Sequence, residues 1–248
     1  MKLYAGTSGY SYKEWKGTFY PEKIQPKEML RSYAGRLKTV EINNTFYHMP
    51  NGTMLASWAD QVPPDFVFAL KAPQVITHMK RLRHVSSEAG YLFKSLSVLE
   101  KKLGPVLFQF PESFHADQSV LQDFLALIRG NALCAFEFRS ASWLDAGILD
   151  LLREKGCSLC IADADESPAQ EIISTAPWGY LRLRRSDYTD AELSQWAETI
   201  LSQKWERAFV FFKHEGEGAK GPETAMRFQA LVDSRVQEMK TGNLLKAG

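Results

Sequence analysis

The chain has 248 residues, of which 45% are hydrophobic and 24% are charged. This composition supplies enough apolar side chains for a core, so it excludes a disordered or fibrous protein and fits a size that barrels use as one domain. Lys and Arg number 30 against 29 for Asp and Glu, so no overall positive field favours nucleic acid or an anionic membrane.

The first residues and the cysteines bear on the compartment. Residues 1–9 reach Gly and Ser before an apolar signal segment can form, and no later apolar run is long enough to span a membrane. We therefore expect a cytoplasmic protein with no membrane partner. Cys157 and Cys160 have the spacing of a redox or zinc pair, but residues three apart in a strand face opposite sides, so we expect two buried thiols.

Apolar runs and helical patterns alternate along the chain. Eight runs have the length and composition of strands, and they occupy residues 2–6, 39–47, 66–71, 106–110, 133–138, 157–162, 179–184 and 208–213. Helical spacing of apolar residues predicts helices over 26–37, 54–62, 87–103, 120–128, 143–155, 193–201 and 226–239. The connection 165–178 predicts only a short or irregular helix.

This order of elements predicts an α/β fold. Strands that alternate with helices, in a chain of this length and without linkers, favour a single (β/α)8 TIM-type barrel over residues 1–240. Residues 241–248 are polar and predict a loose C-terminal tail. The sequence does not indicate an oligomeric state.

Polar side chains recur near the ends of the predicted strands. Alternation places ten of them on the inner side of the barrel, near the C-terminal ends where such barrels place ligand sites: Glu41, Asn43, Lys71, Gln109, Glu137, Arg139, Asp163, Arg182, Arg184 and Lys213. This mouth holds three acids and five bases. The surplus of cations favours an anionic ligand, because Arg suits bidentate contact with phosphate or carboxylate.

Three further interpretations of these side chains stay open. The acids Glu41, Glu137 and Asp163 could form a salt-bridge lattice with the bases around them, and such a lattice needs no ligand. Alternatively, Glu41 and Glu137 could act as a general acid and base, since adjacent carboxylates push their pKa values apart. Lys71 could form a Schiff base if it is desolvated, although ion pairing is the commoner fate of a lysine.

Other site types have weaker signals. The glycine-rich loop 214–222 leads into a helix and could bind phosphate through backbone N–H groups, or be a flexible surface loop. The histidines lie on separate loops with no HExxH spacing, so a divalent metal is possible only if His78, His84, His115 or His214 converge in the fold. No GxSxG element is present. We expect no cofactor.

Several motifs carry a resemblance to a known family. These are GTSGYSYKEWKGTFYP (6–21), TVEINNTFYHMP (39–50), LKAP (70–73), ITH (76–78), LFQFPESF (107–114), FEFRSASW (136–143) and YLRLR (180–184). In this order they resemble the YecE-like family, a domain of unknown function numbered seventy-two. The resemblance implies a TIM-type barrel and no established activity. The chain departs from the family pattern at residues 182–185, where members often have RLHG, and at Lys213, where they often have an Asn-rich segment.

The matching positions imply one pocket formed by Ser8, Tyr10, Glu41, Asn43, Lys71, His78, Gln109, Glu137, Arg139, Trp143 and Arg182. Residue type suggests Arg139 and Arg182 as an anion clamp and Tyr10 and Trp143 as stacking walls. Two functional classes follow. The first is a hydrolase, lyase or isomerase acting on a phosphorylated or otherwise anionic small molecule or nucleic-acid end. The second is a non-catalytic protein that binds such a ligand, or binds single-stranded nucleic acid through the basic loop 80–83.

Overall fold

The computed structural model describes residues 1–128, 132–169, 171–213 and 218–246, and its strands form a closed, parallel, eight-stranded barrel. The strands follow chain order, and β1 pairs with β8 to close the barrel. They are β1 (Lys2–Ser8), β2 (Thr39–Ile42), β3 (Val67–Lys71), β4 (Leu103–Phe110), β5 (Cys134–Phe138), β6 (Ser158–Asp163), β7 (Trp178–Leu183) and β8 (Arg207–Phe212). The predicted (β/α)8 barrel of TIM type is confirmed.

Helices on the outside of the barrel connect most of the strands. They are α1 (Met29–Ala34), α2 (Gly52–Ala59), α3 (Ser86–Leu96), α4 (Gln118–Leu127), α5 (Ala146–Glu154), α6 (Asp190–Leu201) and α7 (Lys220–Lys246). Side chains of Asn51, Asp117, Asp145 and Thr189 accept backbone N–H groups at the starts of α2, α4, α5 and α6. In the described part of the chain, no helix combines the length and the apolar character that crossing a membrane requires.

Strand alternation divides the buried side chains into two cores. Outward residues such as Phe136 and Leu181 pack in a core beneath the helices. Inward residues form a smaller core inside the barrel, where the rings of Tyr4 and Phe209 stack with centroids 4.9 Å apart. The methyl groups of Ala69 and Ala135 belong to the same core. Aromatic and small side chains together fill the inside of the barrel beneath its C-terminal mouth, as a closed eight-stranded barrel requires.

The second strand is shorter than the sequence predicts. It ends at Ile42, and Asn44–Phe46 form a 3-10 turn instead of continuing to residue 47. The reason is local hydrogen bonding: the Thr45 hydroxyl bonds the carbonyl oxygen of Ile42 at 3.1 Å and that of Lys71 at 2.7 Å. These bonds fix the turn against the end of β3.

Other boundaries also differ from the predicted ones. Helix α3 ends at Leu96, and a 3-10 segment with Glu100 at φ 47° intervenes before β4, where the sequence predicts a helix to 103. The described residues between β6 and β7 contain no helix. Helix α7 runs to Lys246, across the predicted start of the loose tail, and no proline interrupts that stretch.

Gly6 in β1 provides a test of the barrel wall. A Cβ added there would overlap the backbone carbonyl of Thr39, which cannot move without shifting β2. We expect Gly6→Ala to lower the free energy of unfolding by about 1–3 kcal/mol. The matched control is Gly90→Ala in α3, where a Cβ meets nothing within 4 Å. That change should raise stability by about 1 kcal/mol, because Ala is the better helix former. Urea denaturation of both variants checks the prediction, and equal effects would contradict it.

Candidate functional site

Three ionisable side chains point into the barrel just above its apolar core. Glu41 on β2, Glu137 on β5 and Arg182 on β7 face inward, as the alternation predicts. Their exposed fractions are 0%, 6% and 2%, so all three are buried. Removing a charge from water costs several kcal/mol unless a partner replaces the hydration. The partners of these three groups are therefore decisive.

The Arg182 guanidinium bridges the two carboxylates. Its Nη1 donates to Glu137 Oε2 at 2.8 Å and its Nη2 donates to Glu41 Oε1 at 3.0 Å. Each remaining carboxylate oxygen has a neutral donor. Tyr180 donates its hydroxyl to Glu41 Oε2 at 2.8 Å, and Gln109 Nε2 donates to Glu137 Oε1 at 2.5 Å. We call these five residues (Glu41, Gln109, Glu137, Tyr180 and Arg182) the ionic core.

Both carboxylates of the ionic core are held as anions. Burial alone would raise the pKa of Glu41, but the Arg182 charge and hydrogen bonds from Tyr180 and Arg182 lower it to about 2. The pKa of Glu137 is lowered as well, because Arg182 and the Gln109 hydrogen bond outweigh its burial. This is the geometry of the salt-bridge alternative for these residues. It occupies both terminal guanidinium nitrogens, Nη1 and Nη2, which a bidentate anion clamp at Arg182 would need.

Lys71 lies above the ionic core at the end of β3. Its Nζ donates to Gln109 Oε1 at 2.7 Å and sits 4.2 Å from the centroid of the Phe46 ring. Within the described residues, no ion pair joins this amine to a carboxylate. Burial and the nearby Arg182 charge lower the pKa of Lys71 to about 8, and Glu41 and Glu137 only partly offset them. The side chain remains half-buried and open to the mouth.

Five side chains follow the strand ends above this layer, and we call them the rim: Asn43, His78, Arg139, Arg184 and Lys213. Asn43 Nδ2 donates to Glu41 Oε1 at 3.2 Å, which joins the rim to the ionic core. Arg139 is exposed, and Arg184 and Lys213 are half-buried. The rim also has an acidic neighbour, since the Lys213 charge contributes to lowering the pKa of exposed Asp165.

His78 belongs to the rim through the loop after β3. Its Nδ1 shares a hydrogen bond of 2.9 Å with the Thr77 hydroxyl, and its ring meets the Phe46 ring edge-on at 4.8 Å. Burial lowers the pKa of His78, and the charges of Lys71, Arg139 and Arg81 lower it further. The cations therefore act on one another across the mouth. Residues 75–79 form a π-helix, a feature often found at functional sites.

Asp163 does not join the mouth, so the prediction of its inward face is wrong. It shares a face with Ile161, which packs in the outer core. Its carboxylate accepts bonds from the Tyr188 hydroxyl at 2.8 Å and the Ala169 N–H at 2.9 Å, and pairs with Arg185 Nε at 3.1 Å. The predicted alternation of inward and outward side chains along β6 was wrong by one residue, since Cys160 faces inward and Ile161 faces outward. Asp163 instead ties the segments after β6 and β7 together.

The two predicted aromatic walls also lie elsewhere. Trp143 is fully buried, donates its Nε1–H to the Phe114 carbonyl oxygen at 2.6 Å and stacks on Phe138 with centroids 5.0 Å apart. Tyr10 packs against the outer core, with its ring 6.3 Å from that of Tyr33. Both rings therefore pack against apolar side chains of the outer core. Ser8, by contrast, is buried beside Glu41.

Two residues of the site were missed by the sequence interpretation. Tyr180 donates to Glu41, and Phe46 covers Lys71. Tyr180 lies two positions before Arg182, so the period of two already indicates its inward face. Phe46 had no such signal, because the turn that places it replaces a predicted strand. The predicted phosphate loop 214–222 falls partly outside the described residues, which omit 214–217. Within the described residues, no three His, Cys, Asp or Glu side chains converge as a metal site requires.

A closed parallel barrel with polar side chains at its C-terminal mouth defines a protein of the TIM-barrel class. Residues 4–247 match the family described as "Protein of unknown function DUF72". The chain belongs to this family. Among solved structures, a DUF72 family protein of Thermotoga maritima MSB8 is similar with a TM-score of 0.80 and 26% identity, covering 94% of this chain and 100% of that chain.

The chain is also similar to two named proteins, over a smaller part of its length. The chain is 28% identical over 153 residues to the UPF0759 protein YunF of Bacillus subtilis strain 168, across 57% of this chain and 52% of that protein. It is 28% identical over 112 residues to the UPF0759 protein YecE of Escherichia coli K12, across 45% of this chain and 39% of that protein. The matches thus span about half the length of these relatives or less.

The ionic core generates a stability prediction. We expect Arg182→Met to lower the free energy of unfolding by about 3–5 kcal/mol, because it leaves two buried carboxylates without their shared cation. The control is Arg153→Met in α5, which breaks an exposed pair with Asp150 and should cost less than about 1 kcal/mol. Urea denaturation without added anions measures both. Equal costs would contradict a structural role for Arg182.

The lowered pKa of Glu41 generates a pH prediction. A carboxylate that titrates at about 2 when folded, against 4.5 ordinarily, stabilises the fold above about pH 4.5 and loses that contribution as pH falls toward 2. Across this interval wild-type stability should fall by on the order of 3 kcal/mol from Glu41 alone. Glu41→Gln should flatten the pH dependence, whereas Glu154→Gln at the exposed end of α5 should leave it unchanged. Denaturant midpoints measured between pH 5 and pH 2 test this.

Proposed function

We propose that the protein is an enzyme that binds a small anionic, phosphate-bearing molecule at the barrel mouth, with Lys71 as its acid–base group. The observation that supports this most is the order of charges along the barrel axis. The carboxylates Glu41 and Glu137 lie deepest, where they share the Arg182 cation and accept hydrogen bonds from Tyr180 and Gln109. The cations Lys71 and Arg139 lie nearer to solvent.

The proposal places the anion against the rim. Arg139, Arg184 and Lys213 follow the ends of β5, β7 and β8, so their charges converge on one opening. Arg139 is the most exposed of the three, and its charge acts on both Lys71 and His78. An anion there would be attracted by several cations while both buried carboxylates stay shielded beneath them. Arg139 therefore replaces Arg182 as the leading anion-binding residue.

Catalysis, rather than binding alone, is supported by the state of Lys71. A general base works best when its pKa lies near the working pH, and burial with a neighbouring cation is the usual way to bring a lysine there. Lys71 meets this condition with a pKa of about 8. Its amine also lacks a carboxylate partner among the described residues, so its reactivity is not suppressed by an ion pair.

The alternative of a binding protein for single-stranded nucleic acid has less support. It rested on the basic loop 80–83, whose charges are largely neutralised. Lys80 Nζ pairs with Glu88 at 2.6 Å and Arg83 pairs with Asp117 at 2.6 Å. Several phosphate contacts would make binding fall steeply with salt, whereas one phosphate in the mouth gives a shallow dependence. Salt titration therefore separates a nucleic-acid strand from a small ligand.

The anion site is tested by ligand-dependent stability. Phosphate, sulfate or small phosphorylated compounds should stabilise the protein by about 2.7 kcal/mol at a hundredfold excess over the dissociation constant. Arg139→Met should remove most of this gain. The matched control is Arg207→Met, because Arg207 begins β8 at the opposite face of the barrel and should leave the gain intact. Thermal shift with each anion measures it. No response in wild type, or an equal loss in both variants, would refute the anion site.

A further inference from the structure

The amine of Lys71 is set apart from other partly buried lysines by what surrounds its nitrogen. Lys102 is also half-buried, but its Nζ donates to the carbonyl oxygens of Ala59 and Val62 at 2.5 and 2.9 Å. Two backbone carbonyl groups therefore accept hydrogen bonds from this amine and hold it at the protein wall. Lys71 has one amide oxygen, an aromatic ring and a guanidinium nearby instead.

We propose that Lys71 is an imine-forming lysine, and that its substrates are small aldehydes or ketones bearing a phosphate or carboxylate group. This rests on the anion site proposed above and gives the Lys71 amine a nucleophilic role in addition to its acid–base role. The amine lies at the end of β3, in the mouth, with the exposed guanidinium of Arg139 near enough for its charge to act on Lys71. A carbonyl compound whose anionic group meets the rim would present its carbonyl carbon to this nitrogen.

The reaction balances without an added reagent. The ammonium first gives up one proton, and the neutral nitrogen then attacks the carbonyl carbon, so that a C–N bond forms and the C=O electron pair moves to oxygen. A proton passes from nitrogen to that oxygen to give a carbinolamine. The proton released at the start then returns to the hydroxyl group, which leaves as water, and the nitrogen lone pair forms the C=N bond of a protonated imine.

The surroundings of Lys71 favour these steps. Burial and the Arg182 charge lower the pKa of Lys71 to about 8, so a fraction of the amine is in the nucleophilic neutral form near pH 7. His78 contacts the same Phe46 ring as Lys71. Its pKa is lowered, so near pH 7 it is neutral and can accept the proton from the ammonium and return it. Gln109 Oε1 orients the nitrogen through the 2.7 Å hydrogen bond.

Reductive trapping tests the proposal. The intact protein at pH 7 is mixed with pyridoxal 5′-phosphate, reduced with sodium borohydride, and digested for peptide mass spectrometry. We expect the reduced adduct to form on Lys71 at least about tenfold faster than on Lys102 or on exposed Lys38, because each unit of lowered pKa gives tenfold more neutral amine. Labelling of Lys71 at the same rate as these lysines would overturn the proposal.

Two variants and a second aldehyde complete the experiment. Before reduction, the absorbance of the imine formed with pyridoxal 5′-phosphate should vanish in Lys71→Met and persist in Lys102→Met. If Lys71→Met does not fold, the labelling sites found in the wild-type protein decide between the outcomes. Pyridoxal, which lacks the phosphate, should label Lys71 more slowly. Equal labelling rates with both aldehydes would support imine formation at Lys71 and refute the anion site. Stabilisation by phosphate without labelling of Lys71 would keep the anion site and refute the imine.

Discussion

Two carboxylates buried inside a barrel would repel each other and lose their hydration, and the Arg182 guanidinium is the group that makes Glu41 and Glu137 tolerable there. One fork of N–H donors meets one oxygen of each carboxylate at 2.8 and 3.0 Å. The three side chains come from β7, β2 and β5, which are not neighbours in the barrel. The bridge therefore crosses the inside of the barrel at this level and provides the floor of the mouth.

The electrostatic surroundings of the Lys71 amine depend on this floor. If the guanidinium were absent, both carboxylates would be free to pair with the amine and hold it as an ammonium. With Arg182 in place, their oxygens are occupied and a positive charge lies beneath Lys71. The turn after β2 adds the Phe46 ring, and Thr45 locks that turn to β3 through the Lys71 carbonyl oxygen. The buried ion pairs and the half-buried Lys71 amine are thus two parts of one arrangement.

The cations that follow the ends of β7 and β8 lie in two different places. Arg185 leaves the mouth and neutralises Asp163 at 3.1 Å and Glu192 at 2.7 Å on the outer side. Arg184 and Lys213 remain at the rim. Strain is concentrated in the loop after β3 and its π-helix, where Arg81, Leu82 and His84 have positive φ. Such strain is typical of segments that position functional groups.

The sequence by itself determined the barrel, the strand order and the inward faces of Glu41, Lys71, Glu137 and Arg182, because strand alternation and the spacing of helices are local properties of the chain. It did not determine which charges pair, since that depends on distances across the barrel between residues up to 141 positions apart. The predicted face of Asp163 was wrong because the alternation along β6 was one residue out of phase. Phe46 lies against Lys71 because a contact with β3 fixes the turn after β2. Only the closed barrel decided that Arg182 pairs with both carboxylates and that burial lowers the pKa of Lys71, because electrostatics follow three-dimensional distance and burial rather than sequence order.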